Sequence, residues 1–251
     1  MVTRSDCKEK LYEAYVSTGQ GFHDAAVQTV EIGHRAPAIQ KLVAKHFPTN
    51  TDAAIVDFGC GYGAHLYVLR QLGYTNLRGV DVSAEMVALA GKLGAPNVTQ
   101  GDLFETIKAM PTESVDVAMF IDVLEHMTLP ELFEILGEAK RVLRPNGKVI
   151  VHVPNAGGIF GSTIRYGDLT HETAFTSTSW RQLSEAIGFK DASSFEDRPA
   201  PHGIKSMVRA MLWPLVSLPW RLAYTVESGE LKVILSMNMT CTAVKPQQIK
   251  L

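Results

Sequence analysis

Disulfides are the first thing this chain lacks the means to build. Its three cysteines, Cys7, Cys60 and Cys241, are odd in number and far apart, and no pair has the spacing of a metal site. A long apolar run is missing too. The most hydrophobic stretch, 204–224, is interrupted by Arg209, Pro214, Pro219 and Arg221, which excludes a transmembrane helix. Charge of one sign is scarce: 24 Lys and Arg stand against 26 Asp and Glu, for a net charge of −2. A nucleic-acid substrate normally needs a positive surface, so DNA and RNA are set aside as partners. The first ten residues are polar and charged rather than a secretory signal, which together with the cysteine usage leads to an expectation of reducing cytoplasm. Internal repeats and low-complexity segments are absent. What remains is an ordinary globular composition, 46% apolar, enough for one domain over 1–251 with a sizeable core.

What the chain does have is a concentrated glycine turn. Ala54-Ala-Ile-Val-Asp57-Phe-Gly59-Cys60-Gly61-Tyr62-Gly63 reads as a short apolar strand entering a tight loop, and 64–72 continues as a helix. Glycines let the backbone turn sharply and approach a ligand. The unpaired N–H groups of a helix start favour a negative or electron-rich group. Two cofactor classes fit. Gly59-x-Gly61-x-x-Ala64 satisfies the dinucleotide pattern and leaves an NAD-dependent oxidoreductase open. Asp57 argues the other way: a carboxylate there repels a pyrophosphate and attracts the ammonium and sulfonium groups of S-adenosylmethionine. A second strand ends in Asp81, placed to meet the ribose hydroxyls of an adenosine ligand, or to cap the helix over 84–92 beside Ser83.

Asp57-Phe-Gly-Cys-Gly-Tyr-Gly63, Gly79-Val-Asp81-Val-Ser, Gly101-Asp102, Asp122-Val-Leu-Glu-His126 and Arg141-Val-Leu-Arg-Pro-Asn-Gly147 follow in this order. As a set they resemble the class I S-adenosylmethionine-dependent methyltransferases over about residues 53–154, with Asn146-Gly147 where a double glycine is commoner. The resemblance implies an α/β, Rossmann-like fold: a mostly parallel seven-stranded sheet with an antiparallel last strand and helices on both faces. It implies S-adenosylmethionine as cofactor, held by Asp57, Gly59, Cys60, Gly61, Tyr62 and Gly63. Asp81 would take the ribose, Asp102 the adenine amino group and Leu103 the ring, with Val82, Met86, Ile121 and Asp122 also lining the cofactor.

Around this core, 53–154, the pattern predicts an N-terminal helical cap over 1–47. Its helices cover 4–16 and 23–46, the second interrupted near Gly33 and Pro37, and Tyr15, Gln20 and His23 are candidate contacts. Later strands are expected at 97–103, 115–122, 148–153 and 192–196, with helices at 131–143 and 180–187. An acceptor-site region spans 155–232. Within it, 155–161 reads as flexible, and the insertion 197–230 reads as broken amphipathic helices bordering the acceptor entrance. Packing on the protein itself or peripheral membrane contact are both open for that insertion. The final strand and tail take 233–251, with the strand itself at 233–244.

Chemistry concentrates in Arg165-Tyr-Gly-Asp168-Leu-Thr-His171-Glu172. Similar tracts after the fifth strand resemble those of bacterial methyltransferases associated with surface-glycan clusters. Methyl transfer from a sulfonium is an in-line displacement in which the protein aligns the partners. A hydroxyl acceptor also needs a base, and imidazole titrates in the useful range. His171, His126 and Asp168 are therefore the catalytic candidates; no resident metal is assigned, although Asp168 or Glu172 could orient His171 or hold a divalent ion with it. The reading is O-methylation of a small-molecule or glycan-linked hydroxyl. Asp122-Val-Leu-Glu-His126 suggests the ubiquinone-pathway enzymes and a phenolic acceptor as an alternative, and a non-catalytic S-adenosylmethionine-binding protein is another.

Overall fold

The computed structural model describes residue 11 and residues 25–198, 200–201 and 203–247. Apart from residue 11, the expected helix at 4–16 lies outside the described residues, as do Cys7, Tyr15, Gln20 and His23. Seven strands form one sheet: β1 Ile55–Phe58, β2 Leu77–Asp81, β3 Val98–Gln100, β4 Val115–Ile121, β5 Leu143–Pro154, β6 Lys190–Glu196 and β7 Asn238–Val244. Their order is β3-β2-β1-β4-β5-β7-β6. The pairs from β3 through β5 are parallel, and β7 enters antiparallel between β5 and β6. The helices are α1 Ala25–His46, α2 Ala64–Gln71, α3 Ala84–Leu93, α4 Leu103–Ala109, α5 Leu129–Val142, α6 Gly161–Arg165, α7 Ser177–Ile187 and α8 Ile204–Ser228.

The central strands read as continuous apolar runs because both faces are covered. Side chains alternate across the pleat. Val149, Val151 and Val153 of β5 join one core with Leu132, Ile135 and Trp180, from α5 and α7. Ile150 between them joins a second core with Ile39 and Val43 of α1 and Leu66 and Leu69 of α2. Each fully buried side chain of this size contributes about 1.5–3 kcal/mol. Local signals agree with this packing. Thr128 and Glu131 form a capping box at the start of α5, and Thr176 caps α7, which closes on Gly188 at φ 89°.

Several expectations need correction. α1 is not interrupted; it runs through Gly33 and Pro37. An interior proline costs about 3 kcal/mol, and burial of Ile32, Ile39 and Val43 against α2 offsets it. α8 likewise continues through Pro214 and Pro219 rather than breaking into pieces. Segment 155–161 is not loose. Asn155 is buried and its Nδ2 donates to the carbonyls of Ile234 and Ser236, each at 2.9 Å. Because those carbonyls turn toward Asn155, the last strand starts at Asn238 rather than at 233. The third strand is shorter than expected, since Asp102 leaves the sheet as N-cap of α4 and Leu103 is that helix's first residue. Asn146, at φ 63°, makes the turn after α5 inside β5, where its N–H meets the Lys245 carbonyl at 3.0 Å.

Candidate active site

The glycine loop leaves the carboxyl end of β1, where ligands sit in open α/β sheets. Gly59, Gly61 and Gly63 have φ values of 75°, 53° and 75°, which side chains rarely adopt. A Cβ at Gly59 would meet Val123 Cγ2 at 2.5 Å, and one at Gly63 would meet Ala95 Cβ at 2.6 Å, so these two hold the loop against its neighbours. A Cβ at Gly61 would meet nothing within 4 Å, so this glycine faces open space. Cys60 packs under the loop, where a Cβ on Gly79 would strike its Sγ at 2.7 Å. Burial pushes its thiol well above the usual range, so it stays neutral.

Two carboxylates frame that loop. Asp57 is 1% exposed, and its Oδ1 has no hydrogen-bond partner among the described residues. Burial, with the Asp81 charge second, pushes it up to about 7. Asp81 accepts from Gly61 N at 2.7 Å and from Ser83 N at 2.9 Å, so it ties the loop to the start of α3. Carboxylate oxygens each have a second lone pair for a ribose hydroxyl. An orphaned buried acid beside an open glycine cradle suits a ligand carrying an ammonium group. Val82 stands exposed next to Asp81, and Met86 N is held by Ser83 Oγ at 3.3 Å. Asp102 caps α4 through Glu105 N at 2.9 Å, with Leu103 partly buried behind it.

At the exit of β4, Asp122 adopts φ 55°, an uncommon backbone for a residue with a side chain. Its Oδ1 meets His152 Nδ1 at 2.6 Å, and His152 Nε2 lies 3.3 Å from Asp197 Oδ2. Burial works against protonation of His152, but these two carboxylates hold it well above the ordinary histidine range. Lost hydration would raise Asp122, yet the His152 charge keeps its carboxyl below its usual value. His65, at the start of α2, is pushed down to about 4 by burial and then by His152. These groups, with Ile121, Asn238 and Thr240, line a cleft of about 280 Å³. A larger hollow, about 460 Å³ and lined by Arg181, Glu196, Arg198 and Lys232, contains neither Asp122 nor His65 nor His152. Chemistry favours the smaller cleft over the bigger one.

The next turn, Leu124–His126, receives the 168–173 segment from across the fold. Glu172 N and Thr173 N donate to the Glu125 carbonyl at 2.7 and 3.0 Å, and Thr173 Oγ1 donates to the Met127 carbonyl at 2.6 Å. The His126 and His171 rings come to 4.8 Å between centroids. Asp168 accepts a hydrogen bond from the Thr170 hydroxyl at 2.6 Å, so in the 2.8 Å contact between Thr170 Oγ1 and His126 Nδ1 that nitrogen is the donor. His171 Nδ1 faces the Arg165 carbonyl at 3.3 Å and must also donate. In the neutral tautomer so oriented, the lone pair lies on Nε2. Burial works to raise Asp168, but the Thr170 hydrogen bonds outweigh it and its carboxyl lies below the usual value. Glu125 is 2% exposed; burial, and then Asp122, push it well above the carboxylate range. Glu125, His126 and His171 each offer one ligand atom, all within 4.8 Å of one another, so this set could hold a metal ion.

Residues 56–151 match the protein family described as a methyltransferase domain. A crystal structure of an S-adenosylmethionine-dependent methyltransferase from Archaeoglobus fulgidus superimposes with a TM-score of 0.64 at 18% identity, covering 93% of this chain and 99% of that one. Residues 56–151 thus carry the match to a methyltransferase domain, and the fold is that of the S-adenosylmethionine-dependent methyltransferases. An uncharacterized 37.1 kDa protein in transposon TN4556 of Streptomyces fradiae is 36% identical over 129 residues, 48% of this chain and 35% of that protein. A ubiquinone biosynthesis O-methyltransferase from Cupriavidus pinatubonensis is 31% identical over 105 residues, 40% of this chain and 41% of that enzyme. The chain thus matches less than half the length of these curated relatives.

Within the matched region the strand exits bring the glycine loop, Asp81, Asp102 and Asp122 to one edge of the sheet. His171, His126 and Asp168 meet on that same edge. Sequence reasoning missed His65, His152 and Asp197. His152 had a signal, since one histidine in Val149-Ile-Val-His-Val153 breaks a fully apolar strand. Asp197 had none, because only the pairing of β7 between β5 and β6 brings it there.

Proposed function

We propose that the domain transfers a methyl group to a hydroxyl of a small-molecule or glycan-linked acceptor. The observation that carries this reading is the meeting of His126 and His171, 4.8 Å apart, with buried Glu125 beside them. Bound S-adenosylmethionine supplies an electrophilic methyl carbon on a sulfonium. Asp57 and the Gly59–Gly63 loop would hold the charged methionyl end, and Asp81 would hold the ribose. Transfer of that methyl to an acceptor oxygen would release the acceptor proton, and an imidazole Nε2 of the His126 and His171 pair would take it. His171 is the leading base, and Asp168 acts through Thr170 to position His126. The Cupriavidus relative, named as an O-methyltransferase, supports oxygen as the accepting atom and keeps a phenolic acceptor as the alternative. We place the reaction in the cytoplasm, a reducing setting that suits the free thiols of Cys60 and Cys241.

The test is turnover to S-adenosylhomocysteine against a panel of sugar, alcohol and phenol acceptors, with the methylated product identified. A methyl ether is the expected product. Methylation confined to amines or carbon acceptors would overturn the oxygen assignment, and cofactor binding without turnover on any acceptor would favour a binding protein.

One observation favours a second reading of the same cluster. Glu125 Oε2 has no hydrogen-bond partner among the described residues and belongs to a set of possible ligands within 4.8 Å. One carboxylate and two imidazoles suit a divalent ion, which would bind the acceptor hydroxyl and lower its pKa. Undiminished turnover after exhaustive chelation removes this reading; loss restored by one divalent metal establishes it.

A further inference from the structure

α8 has its polarity reversed for a helix lying on a protein in water. Its fully buried side chains are Ser206 and Ser217. Ile204, Met207, Met211, Leu215, Leu218 and Leu222 recur at three- and four-residue spacings, which puts them on one face, and all stand exposed, Ile204 at 79% and Met211 at 69%. The helix runs Ile204–Ser228, and from Ile204 to Leu222 the stripe extends roughly 27 Å at 1.5 Å per residue. A continuous apolar surface of this length marks a contact with something other than water.

Charge says what that contact is. Between Ile204 and Val226 the charged residues are Lys205, Arg209 and Arg221; no Asp or Glu occurs before Glu227, although the whole chain is net negative at −2. Arg221 turns inward to Glu196 and to the Val233 carbonyl. Lys205 and Arg209 stand exposed beside the stripe, and Trp220 is more than half exposed on its flank. Basic residues, an apolar face and a flanking tryptophan suit an anionic lipid surface better than a second copy of an acidic chain. No helix among the described residues is long and apolar enough to cross a membrane, so the contact is with its surface. Position adds a consequence. Asp197, at the exit of β6, and Asn238, at the start of β7, bracket α8 in the chain and line the 280 Å³ cleft.

We propose that α8 lies in the interface of an anionic bilayer, its apolar stripe inserted and Lys205 and Arg209 against the headgroups. The cleft then opens beside the lipid surface, toward an acceptor anchored in the membrane. The docking stands on the helix alone; only the location of the acceptor rests on the methyltransferase reading.

The experiment is flotation of the full chain with vesicles of pure phosphatidylcholine and with vesicles containing about 30 mol% phosphatidylglycerol, at low and high salt. Binding to the anionic vesicles is expected, at least tenfold weaker on the neutral ones and at high salt. The pair Met211→Glu and Leu215→Glu should lower partitioning on anionic vesicles tenfold or more. Lys205→Glu with Arg209→Glu should remove the preference for anionic lipid. Circular dichroism and S-adenosylmethionine calorimetry on the same samples check that the variants fold. Failure of the unaltered chain to float with anionic vesicles, or equal binding to both vesicle types, overturns the proposal. So does a stable dimer by sedimentation equilibrium that Leu215→Glu splits, since the face then belongs to a second copy. Intact cofactor binding alongside failed flotation sinks the docking alone; absent cofactor binding counts against the methyltransferase reading instead.

Discussion

Asp57 carries the clearest pH signature of any single residue here. Its carboxyl is fully buried and pushed up to about 7 from an ordinary 3.8. Between those values the folded chain keeps a proton that the unfolded chain has lost. Stability of the ligand-free protein is therefore expected to fall as pH rises through this window and to level off above it. Cofactor affinity should run the other way, because the ionised acid attracts the methionyl ammonium. Titration calorimetry from pH 5.5 to 7.5 should show affinity rising by up to about tenfold per unit and then flattening near 7. Asp57→Asn should abolish that slope; an equally steep slope in the variant would assign the titration elsewhere. Asp81→Ala should weaken binding by about tenfold or more, the loss of charge-assisted hydrogen bonds of about 1.5–3 kcal/mol each. It also releases Gly61 N and Ser83 N, so a lower melting temperature should accompany the loss. For the acceptor side, His171→Ala should cost roughly 10²–10⁴ in turnover with cofactor affinity nearly unchanged. Near-normal turnover in that variant would move the base to His126.

Among the elements, the turn after β5 does more than its glycine-rich composition suggests. Gly158 and Gly161 pack against backbone: a Cβ at Gly161 would lie 1.9 Å from the Asn155 carbonyl oxygen, whereas one at Gly157 would lie 3.4 Å from Asn155 Oδ1. Gly161→Ala is therefore expected to destabilise by about 1–3 kcal/mol or more, and Gly157→Ala by much less. Denaturant melts of the two variants give the comparison, and equal stability would mean the turn relaxes freely. This turn sets where α6 starts and hence where the 168–173 segment crosses to Glu125 and Met127. The Gly161 variant should accordingly lose turnover before it loses cofactor binding, since the glycine loop lies on β1, away from this turn.

For the whole molecule, cofactor binding and stability are one equilibrium. A ligand at 100 times its dissociation constant adds about 2.7 kcal/mol, which for a chain of this size raises the melting temperature by about 5–11 °C. S-adenosylmethionine is expected to do so and NAD is not; the reverse would return the glycine loop to the dinucleotide class. Most strands and helices were legible along the chain, because apolar runs, glycines and cap residues act within a few positions of one another, and the resemblance of the motif set supplied the mostly parallel sheet. Asp57, Gly61 and Asp81 could be singled out as candidates for the same reason: a strand exit and its turn are local. The tertiary structure alone decided that Asp168-Leu-Thr-His171 folds onto Glu125-His126, residues some 45 positions apart held by backbone hydrogen bonds to the Glu125 carbonyl. It also decided that His152 sits between Asp122 and Asp197, through strand pairing that brings together residues distant in the chain. Pro37, Pro214 and Pro219 were read as helix breaks, because a proline's local cost is written in the chain. The burial that outweighs that cost in α1 arises only when the helix meets α2, and the outward-facing stripe of α8 shows only once the sheet has assigned it an inside.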